Sequence, residues 1–420
     1  REQQVASLLS TFEDVYAGNR CVTFVSGQSG SGKSVLVSEI HKPITQKRGY
    51  FVSGKYDELK QNIHYYAIIA AFNEFIDILL TEPSESLTTW RDKFIEACGS
   101  NGQVLLEVMP KLEVIIGPQA EPQALSPIEA RNRFNYVFRN LIRAIASQEH
   151  PLVLFLDDLQ WADHASIDFL KVLLTDHEDM FFMLLGSFRS DEVDETHPVK
   201  EFEDHLTKSS IPITYISVGE LSIEHIAQLV DDTLHCGQKR AIPLAELIHE
   251  KTMGNAFFVN QFLLSLYEEK LLSFDFQSGR KPEAGTQWQW DLEEIKRLNI
   301  TDNVVKLVSD KILKLSVEFQ NVLKLASCIG TKFDFHTLRI ISESTVEELS
   351  GILITGIREG LIYPVNSQMA LINQFAIESE YTEFKFAHDK VHQAAYNLLS
   401  TEKRAEIHHT IGTLLLKNLP

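Results

Sequence analysis

Val22-Thr23-Phe24-Val25-Ser26-Gly27-Gln28-Ser29-Gly30-Ser31-Gly32-Lys33-Ser34 is the stretch on which the reading of this chain turns. An apolar strand runs into G-x-x-x-x-G-K-S, and Val35-Leu36-Val37 open a helix behind it. Glycines let such a loop curl until successive N–H groups point inward, where the oxygens of a polyphosphate sit. The helix start adds its unpaired N–H groups and the positive end of its dipole. Lys33 supplies a mobile cation for the β- and γ-phosphates, and Ser34 a hydroxyl for Mg²⁺. The expected cradle is therefore Gly27, Gln28, Ser29, Gly30, Ser31, Gly32, Lys33, Ser34 and Val35, and the expected ligand a nucleoside triphosphate.

A phosphate loop of this kind needs a carboxylate at the tip of a neighbouring strand. Leu152-Val153-Leu154-Phe155-Leu156-Asp157-Asp158 has that form, apolar on both faces as a central parallel strand should be. Asp157 reads as the metal-side carboxylate, sharing Mg²⁺ with Ser34, and Asp158 as the group that polarises the attacking water. The plainer reading of Asp158 is a turn residue or a helix-entry carboxylate. Asp163, ahead of a helix at 165–174, reads as an N-cap. A strand at 181–187 leads into Arg189, which either reports the γ-phosphate or is a surface arginine paired with Asp191 or Glu192. Lys55, after a strand at 50–54, has no role derivable from its neighbours.

Strand and helix signals alternate through the first half, with strands expected at 21–26, 50–54, 152–157, 181–187 and 212–217. That pattern predicts an α/β P-loop core, a parallel sheet with helices on both faces. Ser126-Pro127-Ile128-Glu129 is a capping box with proline at the first helical position, and an apolar face follows from Phe134 to Ile145. Residues 82–125 read as an insertion of short helices and loops. From about 222 helices dominate, at Ile223–Cys236 and Ala245–Lys270, with a break at Gly254-Asn255. Leu272/Phe274/Phe276 and Trp288/Trp290/Leu292 predict a β-hairpin whose tryptophans pack. Residues 300–398 suggest a winged helix, with strands at Leu361–Val365 and Phe384–Ala387. The boundaries expected are 1–221 for the core, 222–298 for a helical lid with its hairpin, 299–399 for the winged helix and 400–420 for the start of a further helical region.

Composition narrows the classes of function. At 420 residues, 44% hydrophobic and 23% charged, the chain is an ordinary globular protein of two to four domains. A net charge of −19 argues against coating nucleic acid. Residues 293–367 hold nine Lys and Arg against ten Asp and Glu, so a duplex-binding face is not expected there. Cys21, Cys98, Cys236 and Cys328 lie far apart without a CxxC pair and read as buried apolar residues of a reducing compartment. No apolar run approaches the ~20 residues of a membrane span, so no membrane partner and a cytoplasmic location are expected. A chain opening on Arg1 rather than Met reads as a segment of something larger.

His388-Asp389 precedes a helix at 389–399; by themselves these residues read as a packing imidazole and an acid that caps or charges the helix start. The assembled motifs resemble the STAND ATPases, the signal-transduction branch of AAA+-related, origin-recognition-like P-loop proteins. The likeness is strongest to the ATPase module of large multidomain sensor kinases, of the serine-threonine–histidine type, and is shared with soluble adenylyl cyclases. It is carried by Arg1-Glu2, Gly27–Ser34, Phe51–Asp57, Leu156-Asp157-Asp158-Leu159-Gln160-Trp161-Ala162-Asp163, Gly186–Val193, Gly254-Asn255-Ala256-Phe257-Phe258, Trp288–Asp291 and Phe386–Tyr396. The resemblance implies a core, lid and winged helix closing over ADP at rest and opening on exchange for ATP. It also implies that His388 contacts the bound nucleotide and that Arg189 is the strand-end sensor. Ala256 departs from the family, which usually has a proline packed near the adenine there.

The function expected is a nucleotide-dependent switch, a weak Mg²⁺-dependent ATPase acting on the β–γ phosphoanhydride of ATP. Its partners would be neighbouring kinase, sensor or cyclase domains of one polypeptide, with self-association open. Two alternatives stand beside it: a DNA-binding AAA+ protein of origin-recognition type and a phosphotransferase acting on a small metabolite.

Overall fold

The computed structural model describes residues 1–175, 180–274, 288–297, 304–365 and 382–418. They divide into two compact units, Arg1–Gly219 and Glu220–Pro420.

The first unit is built on five parallel strands: β1 (Cys21–Ser26), β2 (Tyr50–Lys55), β3 (Leu152–Asp157), β4 (Phe182–Phe188) and β5 (Ile213–Ser217). Their order is β2-β3-β4-β1-β5. The strand expectations hold to within a residue, but one neighbour relation does not. The acid-bearing β3 does not lie beside the phosphate-loop strand β1, because β4 is paired between them, Leu154 and Phe24 both lying in register with residues of β4. A Cβ on Gly186 of β4 would meet the Leu159 side chain at 2.4 Å.

Alternation along β3 feeds two cores. Leu152, Leu154 and Leu156 face one side, packed with the helices Tyr66–Leu79, Pro127–Ile145, His164–Thr175 and Pro198–Lys208. Val153 and Phe155 face the other, against the helices Glu2–Tyr16, Lys33–Ser38 and His41–Gln46. Pro127–Ile145 carries the predicted capping box, Ser126 and Glu129 bonding reciprocally, and buries the predicted face from Phe134 to Ile145. The 82–125 region is less fragmentary than expected, since Ser84–Cys98 is a four-turn helix whose Trp90 and Phe94 are buried. Gly54 explains how β2 and Tyr66–Leu79 come so close: a Cβ there would sit 2.0 Å from the Ala67 carbonyl oxygen, a backbone atom with nowhere to retreat.

In the second unit, helices Ile223–Leu234, Gln238–Thr252 and Ala256–Glu268 enclose one apolar core. The middle helix starts earlier than Ala245, with Pro243 accommodated inside it. Asn255 caps the third helix, accepting the Phe258 N–H, so the Gly254-Asn255 break is a helix boundary. The hairpin is present as β6 (Ser273–Phe274) paired antiparallel with β7 (Trp288–Gln289); Phe276 lies outside the described residues. Trp288 and Trp290 pack on this core as expected.

Helices Val304–Lys314, Val317–Ile329, Phe335–Ser342, Val346–Arg358 and Asp389–Asn397 surround a second core with β8 (Lys332–Asp334), β9 (Ile362–Pro364) and β10 (Glu383–Phe386). These strands pair antiparallel in the order β8-β10-β9. Two were anticipated; β8, three residues long, is too short to show a period of two. Thr401–Asn418 is the closing helix. Residues 298–303, where the lid and winged-helix expectations meet, lie outside the described residues. No described helix is long and apolar enough to cross a membrane.

Candidate functional site

β1 ends at Ser26 and the loop turns through Gly30 and Gly32, at φ +81° and +98°, into the helix opened by Lys33. An L-side chain at either glycine would be strained, which is why glycine stands at both turns. Gly27 is fixed by proximity, since a Cβ would lie 2.4 Å from the Val218 carbonyl oxygen. The Lys33 ammonium is buried and donates to the carbonyl oxygens of Gly27 at 2.9 Å and Gln28 at 3.1 Å. The cation thus lies folded over the loop it belongs to. Val35, in the first turn of the helix, is exposed.

Arg1, which the sequence offered only as one of the residues carrying the resemblance, acts on this loop. Arg1 donates through Nη2 to the Ser31 carbonyl at 2.7 Å and to the Gly219 carbonyl at 2.9 Å. A trans peptide holds its C=O and the following N–H on opposite sides. Holding the Ser31 oxygen therefore also fixes the Gly32 N–H, on the opposite side of that peptide. Burial lowers the Arg1 guanidinium from its ordinary value.

Ser34 Oγ lies 3.4 Å from Asp157 Oδ2, so hydroxyl and carboxylate meet although a strand intervenes between β1 and β3. Ser187 of that intervening strand donates its hydroxyl to Asp157 Oδ1, which also accepts the Asp158 N–H at 3.1 Å. Asp157 is thereby oriented with Oδ2 toward Ser34.

Asp158 leaves the strand in the left-handed region (φ +57°, ψ +48°), and the 3₁₀ turn Leu159–Trp161 follows. The turn reading of this residue holds in that respect. Its carboxylate is almost fully buried and surrounded by donors. Lys55 Nζ is 2.8 Å from Oδ2, Gln160 Nε2 3.0 Å from Oδ1 and Arg189 Nε 3.5 Å from Oδ1. The same Lys55 ammonium is 3.9 Å from Asp157 Oδ2. Lys55, silent in the sequence, is the counter-ion of both carboxylates. The pairing of β2 with β3, which sets Lys55 opposite Asp157, creates this contact.

Arg189 pairs with Glu192 at 2.6 Å, as one reading held, but it is buried rather than a surface residue. Its guanidinium lies 4.5 Å from the Trp161 ring centroid, and the Arg189 backbone N–H donates to Gln160 Oε1 at 3.2 Å. Asp163 is the N-cap expected: Oδ1 accepts the Ser166 N–H at 3.0 Å, and Oδ2 takes the Tyr65 N–H at 3.2 Å.

Hard oxygen donors at a strand tip and a helix start are the set Mg²⁺ prefers beside a phosphate chain, so Ser34 and Asp157 fit that ion. Among the described residues, no group of three or more His, Cys, Asp or Glu side chains is placed to hold a metal by protein ligands alone.

His388 belongs to the second unit. It, rather than Asp389, caps the helix Asp389–Asn397, its Nδ1 accepting the Lys390 N–H at 3.0 Å. An imidazole accepting through Nδ1 carries its proton on Nε2. The ring is stacked on Phe257 of the Gly254–Phe258 run, centroids 4.0 Å apart. All four cysteines are buried free thiols, and burial raises Cys21, Cys98 and Cys328 to about 11.

Residues 1–185 match a family model described as an AAA ATPase domain. The chain is 26% identical, over 99% of its length and 14% of the relative's, to "Hybrid signal transduction histidine kinase G" of Dictyostelium discoideum. It is 22% identical to the "Peroxide stress-activated histidine kinase mak3" of Schizosaccharomyces pombe, over 94% of this chain and 18% of that one. The chain thus spans less than a fifth of either relative. Among solved structures it is similar to a Signal Transduction ATPase with Numerous Domains (STAND) protein with a tetratricopeptide repeat sensor from Pyrococcus horikoshii. That likeness has 13% identity and a TM-score of 0.48, over 100% of this chain and 45% of that one. It is also similar to Cdc6p of Pyrobaculum aerophilum, at 13% identity and a TM-score of 0.41, over 95% of each chain. The phosphate loop and the carboxylate-tipped β3 both fall within residues 1–185, the stretch that matches the AAA ATPase domain model.

Proposed function

We propose that this chain is a nucleotide-dependent switch module that binds ATP and ADP, hydrolyses ATP slowly, and works inside a larger signalling polypeptide. The observation that carries the reading is the meeting of loop and strand tip, Ser34 Oγ 3.4 Å from Asp157 Oδ2 with the Lys33 ammonium folded over the same loop. The loop's N–H groups and Lys33 neutralise the phosphate chain, and Lys33 exchanges two carbonyls for phosphate oxygens as the ligand enters. Ser34 and Asp157 would hold Mg²⁺, which when bound supplies positive charge to the β- and γ-phosphate oxygens.

Asp158 is the residue proposed to orient and deprotonate the attacking water. Its oxygens are engaged by Lys55, Gln160 and Arg189 and it is almost fully buried, so the cluster must open for an attacking water to reach the carboxylate. Slow turnover follows from that requirement. Arg189, already aimed at Asp158 and held over Trp161, is the proposed γ-phosphate reporter.

The second unit is proposed to be a helical lid (222–298) and a winged helix (299–399), its β8-β10-β9 sheet and surrounding helices supporting the latter. His388 is proposed to report bound ADP. Its Nε2–H is a donor suited to a phosphate oxygen, with orientation set by the helix cap and by Phe257. Histidine-kinase relatives support placing the module among signalling domains of one polypeptide.

Calorimetric titration of Mg·ATP and of ADP into the folded 420-residue chain tests the reading. Saturable heat with one site per chain is expected; a flat titration with both nucleotides overturns it.

A further inference from the structure

Lys55 Nζ is 2.8 Å from Asp158 Oδ2 and 3.9 Å from Asp157 Oδ2, the oxygen that also faces Ser34. The other Asp157 oxygen already accepts Ser187 and the Asp158 N–H. Oδ2 is therefore the atom through which a divalent cation would be held, and an ammonium stands against it. A second cation arriving at that oxygen meets repulsion from Lys55, while a nucleotide arriving without metal finds a positive charge already present.

We infer that Lys55 is a built-in counter-cation on the metal side of the nucleotide site: it supports binding of a nucleoside diphosphate without divalent metal and weakens the hold on Mg²⁺. The inference rests on the nucleotide-binding reading above and concerns the regulation of that same site. Lys55 is placed to do this by backbone geometry. It lies opposite Asp157 in the β2–β3 ladder, and Gly54 before it lets β2 settle against Tyr66–Leu79. Its side chain is partly exposed, whereas that of Asp158 is almost fully buried. The site thus has two ways of being electrically balanced. With ADP, one ammonium on each side of the phosphates does most of the work; with ATP, the extra phosphate charge favours the divalent ion despite Lys55.

The test is the affinity of the full chain for ADP in excess EDTA and in saturating Mg²⁺, for wild type, Lys55→Met and Lys55→Arg. In wild type the two affinities are expected to agree within about threefold, because the resident ammonium stands in for the metal. Lys55→Met is expected to bind ADP about tenfold more weakly in EDTA and to be restored by Mg²⁺, with Mn²⁺ binding to the ADP complex tightened about tenfold. Lys55→Arg, which keeps the charge, is expected to behave as wild type in EDTA. Wild-type ADP binding that vanishes in EDTA overturns the inference, as does a Lys55→Met protein indistinguishable from wild type in EDTA and Mg²⁺. Should Lys55→Met not fold, the wild-type comparison alone decides. Absence of ADP binding to wild type in both buffers would instead remove the nucleotide reading itself.

Discussion

The phosphate loop and the carboxylate cluster lie on the same sheet but are made in different ways. The loop is a local object: its turns, its cation and its hydroxyl come from Gly27–Ser34, and what it presents inward is mostly backbone. The cluster is assembled from afar, with Lys55 from β2, Asp157 and Asp158 from β3, Ser187 from β4 and Arg189 just beyond it. A backbone cradle tolerates change around it as long as the glycines stay. A cluster of buried opposite charges does not, since removing one member leaves its partner unsatisfied. Binding in the presence of Mg²⁺ should therefore follow the loop, and turnover the cluster, with Lys55 the member of the cluster that also bears on binding when the metal is absent.

That division is most severely tested at Lys33. Lys33→Ala is expected to weaken ATP and ADP by at least about 100-fold, the loss of a buried charge-assisted contact to phosphate. Unchanged affinity by calorimetry would detach the loop from binding. Asp158→Asn is expected to keep ATP affinity within a few-fold and to lower steady-state phosphate release by roughly 100-fold, in a protein whose cooperative melt is retained. Equal turnover would make Asp158 a purely structural counter-ion.

A smaller effect is expected at the edge of the loop. Arg1→Ala should weaken ADP about tenfold, with Arg1→Lys partly restoring it, because one pinned carbonyl orients one cradle N–H. An ADP affinity that stays at the wild-type value would mean the loop holds its shape unaided. The smallest effect is expected outside the first unit, where His388→Ala should raise the ADP off-rate by about fivefold in stopped flow. Identical off-rates would return His388 to its capping and stacking roles.

The same contrast decides what was legible in the sequence. The loop, the helix capped by Ser126 and Glu129, and the N-cap at Asp163 were readable because each is written in residues within a turn of one another. The apolar run of β3 announced a buried central strand, and its two-residue alternation explains how it serves two cores. Lys55, Ser187 and Arg1 were not legible as partners. Their contacts depend on strand order, and nothing in Leu152–Asp157 says that β4, rather than β1, lies at its side. The burial of Arg189 escaped for the same reason: Trp161, which covers it, is distant in the chain. His388 was found through a motif, but its capping contact and its stack on Phe257, across more than a hundred residues, needed the fold.

Arg1 bonds the Gly219 carbonyl as well as that of Ser31 in the phosphate loop, so the two limits of the first unit meet under one guanidinium. The fastening that closes the unit is therefore also a brace of the loop, and loosening the backbone at Gly219 would free the Arg1 side chain to release the Ser31 carbonyl as well.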